Sequence, residues 1–221
     1  MMRALLVDDT TIVRESLPLL MPSIDFVAAY SHVDALIAEA LPADLVVLDL
    51  HLANTTQPGV RQGVAAIQAL VELGYRVCAY TQEERRFVLA ACLAAGAQGV
   101  VSKSATVPAT TEAFHRVAAG EFAIPMPLVG LVELLARRRS VTIASPRQLE
   151  VLAGRARGLT YAELSRRMHL SEATLRGYWA DLCVTVSTYF RNVSPGDLER
   201  ELGVGPGDLV SYWPTPGGGG D

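Results

Sequence analysis

Residues 4–8, ALLVD, open the chain with four apolar residues that run straight into an acid, and Asp9 follows. The pattern returns in LVVLD (45–49), and the runs FVAAY (26–30), RVCAY (76–80) and GVVSK (99–103) complete a set of five. Near-continuous apolar runs of this length suit strands buried on both faces, because a strand with one wet face alternates polar and apolar residues. Between them lie helix-spaced stretches near 12–21, 33–41, 63–73, 84–95 and 106–119. This alternation predicts a doubly wound α/β domain with a five-stranded parallel sheet over residues 1–120.

Polar residues then collect at one edge of the expected sheet. Asp8 and Asp9 close strand one, Asp49 closes strand three, Thr81 follows strand four and Lys103 closes strand five. In an open α/β sheet the carboxyl ends of the strands carry the binding site, at the switch point between strands one and three. Three carboxylates gathered there repel, so each needs a raised pKa or a cation. Mg²⁺, a hard ion that takes oxygen ligands, suits them. One acid in such a pocket can attack a phosphoryl group, while the metal, a lysine and a hydroxyl hold its oxygens. Lys103 is the only lysine beside 18 arginines, which sets a compact point charge in a chain that otherwise uses planar guanidinium forks.

Composition bounds the remaining possibilities. With 221 residues, 50% hydrophobic and 19% charged, the chain has enough apolar material for one large or two small domains and does not read as disordered. Three scattered cysteines with no CxxC argue against a disulfide scaffold or a zinc site, and for a reducing cytoplasm. The first apolar run is too short for a signal peptide, and Gly96, Gln98 and Gly99 break the longest uncharged stretch, so no membrane partner is expected. The four histidines form no metal-spaced cluster, and neither a Ser/His/Asp triad nor a Walker loop occurs, so no enzyme is expected.

The net charge of −4 is unevenly distributed. Residues 1–136 carry −6, residues 137–183 carry +5 and residues 184–221 carry −3. A connector with a helix (121–144) contains Pro125 and Pro127, which interrupt helix geometry, and then LVELLARRR (131–139). Helix starts follow at Ser145-Pro-Arg-Gln148, Thr160-Tyr-Ala-Glu163 and Ser171, the first two in capping-box form. Two short helices, 160–168 and 171–183, around a tight MHL turn make a helix-turn-helix candidate in a second, all-α domain over 145–183. A helical extension is expected over 184–213, with Leu198, Leu202 and Leu209 as packing residues, and a disordered glycine-rich tail over 214–221.

The motifs LLVDDTTIVRESL, VVLDLHL, VCAYT and GAQGVVSKS resemble the receiver domain of two-component response regulators over roughly residues 3–120. The resemblance implies Asp49 as phosphoacceptor, with Mg²⁺ on Asp8, Asp9, Asp49 and the His51 backbone carbonyl. It also implies Thr81 as the switch hydroxyl and Lys103 as the phosphoryl anchor. Three positions depart from the pattern. Gly63 follows Asp49 by 14 residues, six more than the family loop. Val100 stands where receivers carry the switch aromatic, so the usual Thr–aromatic coupling cannot operate. Gln82 sets a larger side chain after Thr81.

SPRQLEVLAGRARGLTYAELSRRMHLSEATLRGYWADL resembles the LuxR/NarL-type helix-turn-helix over about 144–183. That resemblance implies a DNA-binding transcriptional regulator acting as a homodimer and served by a cognate histidine kinase. Ser171 would cap the reading helix, Thr174 and Arg176 would face the bases, and Arg166 and Arg167 would contact phosphates. Gly177 inside that helix and the bulky Tyr178 and Trp179 depart from the pattern, with Trp179 read as core. The family's fourth, dimerising helix has no match in 184–213. The rival reading is a pseudo-receiver adaptor governed by a protein or small ligand. An aspartyl-nucleophile phosphatase ranks behind it, since no second acid follows Asp49 at a general-acid spacing.

Overall fold

The computed structural model describes residues 1–53, 59–138, 140–143 and 145–214. Part of the long loop after Asp49 and the expected disordered tail from residue 215 onward lie outside the described residues. The first half is β1 (Met2–Val7), α1 (Thr11–Leu20), β2 (Ile24–Tyr30), α2 (Val33–Glu39), β3 (Leu45–Leu48), α3 (Gly63–Glu72), β4 (Val77–Thr81), α4 (Arg86–Ala94), β5 (Gly99–Ser102) and α5 (Val107–Ala118). All neighbouring strands are parallel, in the order β2-β1-β3-β4-β5, which makes β1 and β3 neighbours at the switch point.

The period-two geometry of strands explains why these runs are apolar throughout. Ala4, Leu6, Leu45, Val47 and Cys78 face the side packed by Leu17 and Met21 of the α1 region and by Phe114 and Val117 of α5. Leu5, Val7, Val46, Leu48, Val77 and Ala79 face the opposite side, toward α2, α3 and α4. That second core continues without a break into the helices that follow.

These are α6 (Met126–Arg137), α7 (Pro146–Ala156), α8 (Tyr161–Met168), α9 (Glu172–Asn192) and α10 (Pro195–Leu202). Pro125 and Pro127 do not delay α6 to residue 131. Pro125 is its N-cap and Pro127 sits in its first turn, where a missing N–H costs no hydrogen bond. Ser145 accepts from Arg147 N at 3.2 Å, a plain N-cap rather than the expected capping box. Thr160 and Glu163 make a full capping box. α8 ends on His169 in the left-handed region (φ 54°) and Ser171 caps α9 through Thr174 N at 3.1 Å.

α9 does not stop at Cys183, the expected end of the output domain, but runs on to Asn192. Val184, Thr185, Val186 and Thr188 are β-branched and each costs the helix up to ~0.7 kcal/mol. Val186 and Phe190 are buried, and burying such side chains contributes about 1.5–3 kcal/mol each, so packing outweighs propensity. α9 packs on α4, α7 and α8, and α6 packs on α4 and α7. The Arg191 guanidinium reaches back to Gly96 O at 3.2 Å. The buried Glu199 carboxylate of α10 accepts from Leu209 N at 2.8 Å, which fixes the last described turn over the buried Leu198 and Leu209.

Candidate functional site

The sheet edge gathers the residues that the strand-end pattern singled out. Asp49 N donates to Val7 O and Lys103 N to Thr81 O, each at 2.8 Å, so the ladder carries its register to these residues. One carboxylate oxygen from each of Asp8, Asp9 and Asp49 lies within 4.8 Å of the others. Lys103 Nζ donates to Asp8 Oδ2 at 2.7 Å and to Asp49 Oδ2 at 2.9 Å. Asp8 Oδ1 also accepts from Thr10 N at 2.9 Å, while Arg14 donates to its carbonyl at 2.6 Å.

Asp8, Asp49 and Thr81 are buried. Burial pushes the Asp49 carboxyl above its ordinary value, and the charge of Asp8 adds to this, while Lys103 opposes it through a hydrogen bond and its charge. Burial alone would pull Lys103 down, but its bonds to Asp8 and Asp49 prevail and hold its ammonium above its ordinary range. The result is a protonated lysine between two acids. The oxygen-only donor set beside it, three carboxylates, has the chemistry a hard cation takes.

Beyond Thr81 the contacts lead away from the pocket. Thr81 Oγ1 accepts from Glu83 N at 3.1 Å. The Glu83 carboxylate takes Arg85 with both oxygens, Nε at 3.0 and 3.1 Å and Nη2 at 2.5 Å, which lowers its pKa to about 2. His51 Nε2 stands 3.7 Å from the same carboxylate. The Arg85 guanidinium lies 5.4 Å from the centroid of the Tyr212 ring, beyond α10. Gln82 is exposed. Gln62, which the sequence reading passed over, accepts from Leu52 N and Ala53 N at 3.1 and 3.0 Å and pins the start of the long loop. Glu83 and Arg85 were also missed; the only signal was the charged run QEERR directly after Thr81.

A second group lies on the output helices. Ser171, Thr174, Arg166 and Arg167 are exposed, and the Ser171 and Thr174 hydroxyls bond each other at 2.9 Å. Arg176 is also exposed, 4.5 Å from the Tyr161 ring centroid and 3.5 Å from Glu172. Trp179 is buried, with Arg155 over its ring at 5.8 Å. Arg176 and Gly177 line a cleft of about 850 Å³ whose other wall is β5 and α5.

No protein-family model matches the chain. It is 32% identical over 184 residues to the response regulator RamR of Streptomyces coelicolor, covering 81% of this chain and 87% of that protein. The chain belongs to the response regulators. It is also 29% identical over 185 residues to the nitrate/nitrite response regulator protein NarL of Escherichia coli, covering 78% of this chain and 83% of that one. Among solved structures, the fold is shared with the Salmonella typhimurium response regulator RcsB, at TM-score 0.54 and 19% identity over 96% of this chain and 97% of that one. A structure of RcsB from Salmonella enterica serovar Typhimurium, bound to a promoter in the presence of a beryllium fluoride phosphomimetic, aligns at TM-score 0.53 and 19% identity over 91% and 97%. This response regulator therefore joins a five-stranded receiver to a NarL-type helical output domain. Among the described residues no helix is long and apolar enough to cross a membrane.

Proposed function

We propose that this response regulator is a DNA-binding transcriptional regulator of a two-component system, controlled by transfer of a phosphoryl group to Asp49. The observation that carries the reading is Lys103 Nζ held between Asp8 and Asp49 at 2.7 and 2.9 Å on the switch-point edge of the sheet. A kinase phosphohistidine is the natural donor. An Asp49 oxygen attacks phosphorus, the P–N bond breaks, and the histidine nitrogen leaves with the electron pair. Asp8, Asp9, Asp49 and the His51 carbonyl would hold Mg²⁺, which when bound neutralises charge on the phosphoryl oxygens. Lys103 would hold one phosphoryl oxygen and the Thr81 hydroxyl another.

Val100 removes the usual aromatic partner of Thr81, so the signal needs another way out. The Glu83–Arg85–Tyr212 contacts supply one. When Thr81 turns its hydroxyl to a phosphoryl oxygen, Glu83 N loses its acceptor. The Arg85 grip on Tyr212 and the seat of the C-terminal turn then loosen. The receiver is assigned to 1–120, the connector to 121–144 and the reading helices to 145–183, with 184–213 as the extension that Tyr212 latches. Thr174 and Arg176 read bases from the Ser171-capped helix, while Arg166 and Arg167 hold phosphates. The active form is a cytoplasmic homodimer on two half-sites. An adaptor governed by a ligand alone is the second reading, favoured by Val100.

The test is binding of the full chain to genomic DNA fragments at several salt concentrations, with and without a small phosphodonor and Mg²⁺. Sequence-preferring binding that strengthens with the donor, and falls with salt as phosphate contacts require, is expected. Equal binding with and without the donor favours the adaptor.

A further inference from the structure

The cleft between receiver and output helices has two unlike walls. On the receiver side a patch of short side chains, Val100, Val101, Ala105, Ala109 and Ala113, lies among longer ones that include Leu89, Glu84 and Glu112, and the buried Thr81 also lines it. On the output side, aromatic rings and guanidinium groups are interleaved. Arg155 lies 4.9 Å from the Tyr161 centroid and 5.8 Å from that of Trp179, and Arg176 lies 4.5 Å from Tyr161.

The charges on that wall are poorly neutralised. Arg155 has no carboxylate partner among the described residues; its Nη1 donates to Leu159 O at 2.8 Å, its Nη2 meets Met126 Sδ at 3.6 Å, and its buried Nε has no hydrogen-bond partner. Among the described residues Arg176 has one carboxylate partner, Glu172 at 3.5 Å. The other lining arginine, Arg116, is already taken by Glu121 at 2.8 Å. Glu83 is likewise spent on Arg85, which leaves Glu84 and Glu112 as the remaining acids, both on the receiver side.

We propose that this cleft binds a small planar aromatic anion, with its ring against the short receiver wall beside Val100 and its acid group toward Arg155 and Arg176. The volume of about 850 Å³ suits a drug-sized molecule. Guanidinium–aromatic stacks accept a planar ring and its negative charge together. A molecule seated there touches both domains and occupies Arg176, so it keeps that side chain from DNA whatever the state of Asp49. The inference goes beyond the phosphorylation reading and does not depend on it.

The probe is anilinonaphthalene sulfonate, an aromatic anion whose planar naphthalene ring carries the acid group and which accepts energy from tryptophan. In the full chain carrying Trp213→Phe, Trp179 on the cleft wall is the remaining tryptophan. Saturable binding at one probe per chain, with loss of Trp179 emission, is expected. Ala109→Phe, an exposed helix position that projects bulk into the cleft, and Arg155→Met should each weaken binding about tenfold or more. Arg155→Lys should recover part of it. Ala109→Phe keeps the test decisive if Arg155→Met fails to fold. Probe fluorescence that rises equally in all variants, or leaves Trp179 emission unchanged, would place the probe on another apolar surface and overturn the proposal. No phosphodonor is present, so a chain unable to take up phosphate still reports on the cleft.

Discussion

At the strand ends, the Lys103 side chain is 14% exposed and touches two acids that are almost wholly buried, whereas at the front of α9 the Arg176 side chain is 54% exposed and its carboxylate stands 3.5 Å away. The first cation is held by charges that need it: take it away and two buried carboxylates face each other. The second is a solvated group whose partner contributes little to folding. The contrast matches the roles proposed for the two cations: a charge that serves group transfer is fixed in advance, and a charge that reads a surface stays available to it. The two regions also join differently to the rest of the fold. The pocket hangs on strand register, and α9, the proposed reading helix, packs on α4, α7 and α8.

Replacing Lys103 tests the first half of that contrast and should have the largest effect. Lys103→Ala leaves Asp8 and Asp49 buried without their counter-charge. In Mg²⁺-free buffer it should cost about 3 kcal/mol of stability by urea denaturation, with part regained on adding Mg²⁺. A loss no larger than that of a surface substitution would show that the pocket is open to water.

Next comes the packing beneath the reading helix. A Cβ on Gly154 would stand 2.4 Å from Leu164 Cδ2, where α7 meets α8. Gly154→Ala should therefore destabilise by about 1–3 kcal/mol through overpacking, although alanine is the better helix former. Gly177, one turn into the exposed face, has open space around a new Cβ. Gly177→Ala should stabilise by about 1 kcal/mol in the same denaturation series. The opposite signs sharpen the distinction between the packed and the open side of this domain.

The smallest effect on stability belongs to Arg176→Ala, which should fall within about 0.5 kcal/mol of the parent. In DNA binding the order reverses: the same change should cost about 1–3 kcal/mol and relax sequence preference. Arg166→Ala should weaken binding evenly and flatten the salt dependence.

The pocket was legible because its residues end strands, and strand ends are the part of an α/β domain that an apolar run marks most sharply. Asp8, Asp49, Thr81 and Lys103 needed only the parallel order to come together. The three helix starts after residue 144 were legible through Ser145, Thr160 and Ser171, since a capping side chain acts within its own turn. What was not legible depends on partners far along the chain. The run from Val184 to Asn192 has poor intrinsic helix propensity and becomes helix because Val186 and Phe190 are buried, Phe190 against the distant Trp213. Glu83 and Arg85 read as one more charged run until Tyr212, far off in sequence, arrives beside them. The cleft is likewise a property of two domains together, and neither segment announces it.

Phosphoryl transfer to Asp49, as proposed, is read from the intact mass of the full chain after incubation with acetyl phosphate and Mg²⁺. A gain of one phosphoryl group, absent in Asp49→Asn and strongly reduced in Lys103→Ala, is the expected result. An unchanged mass in the parent chain, or a gain that persists in Asp49→Asn, would contradict it.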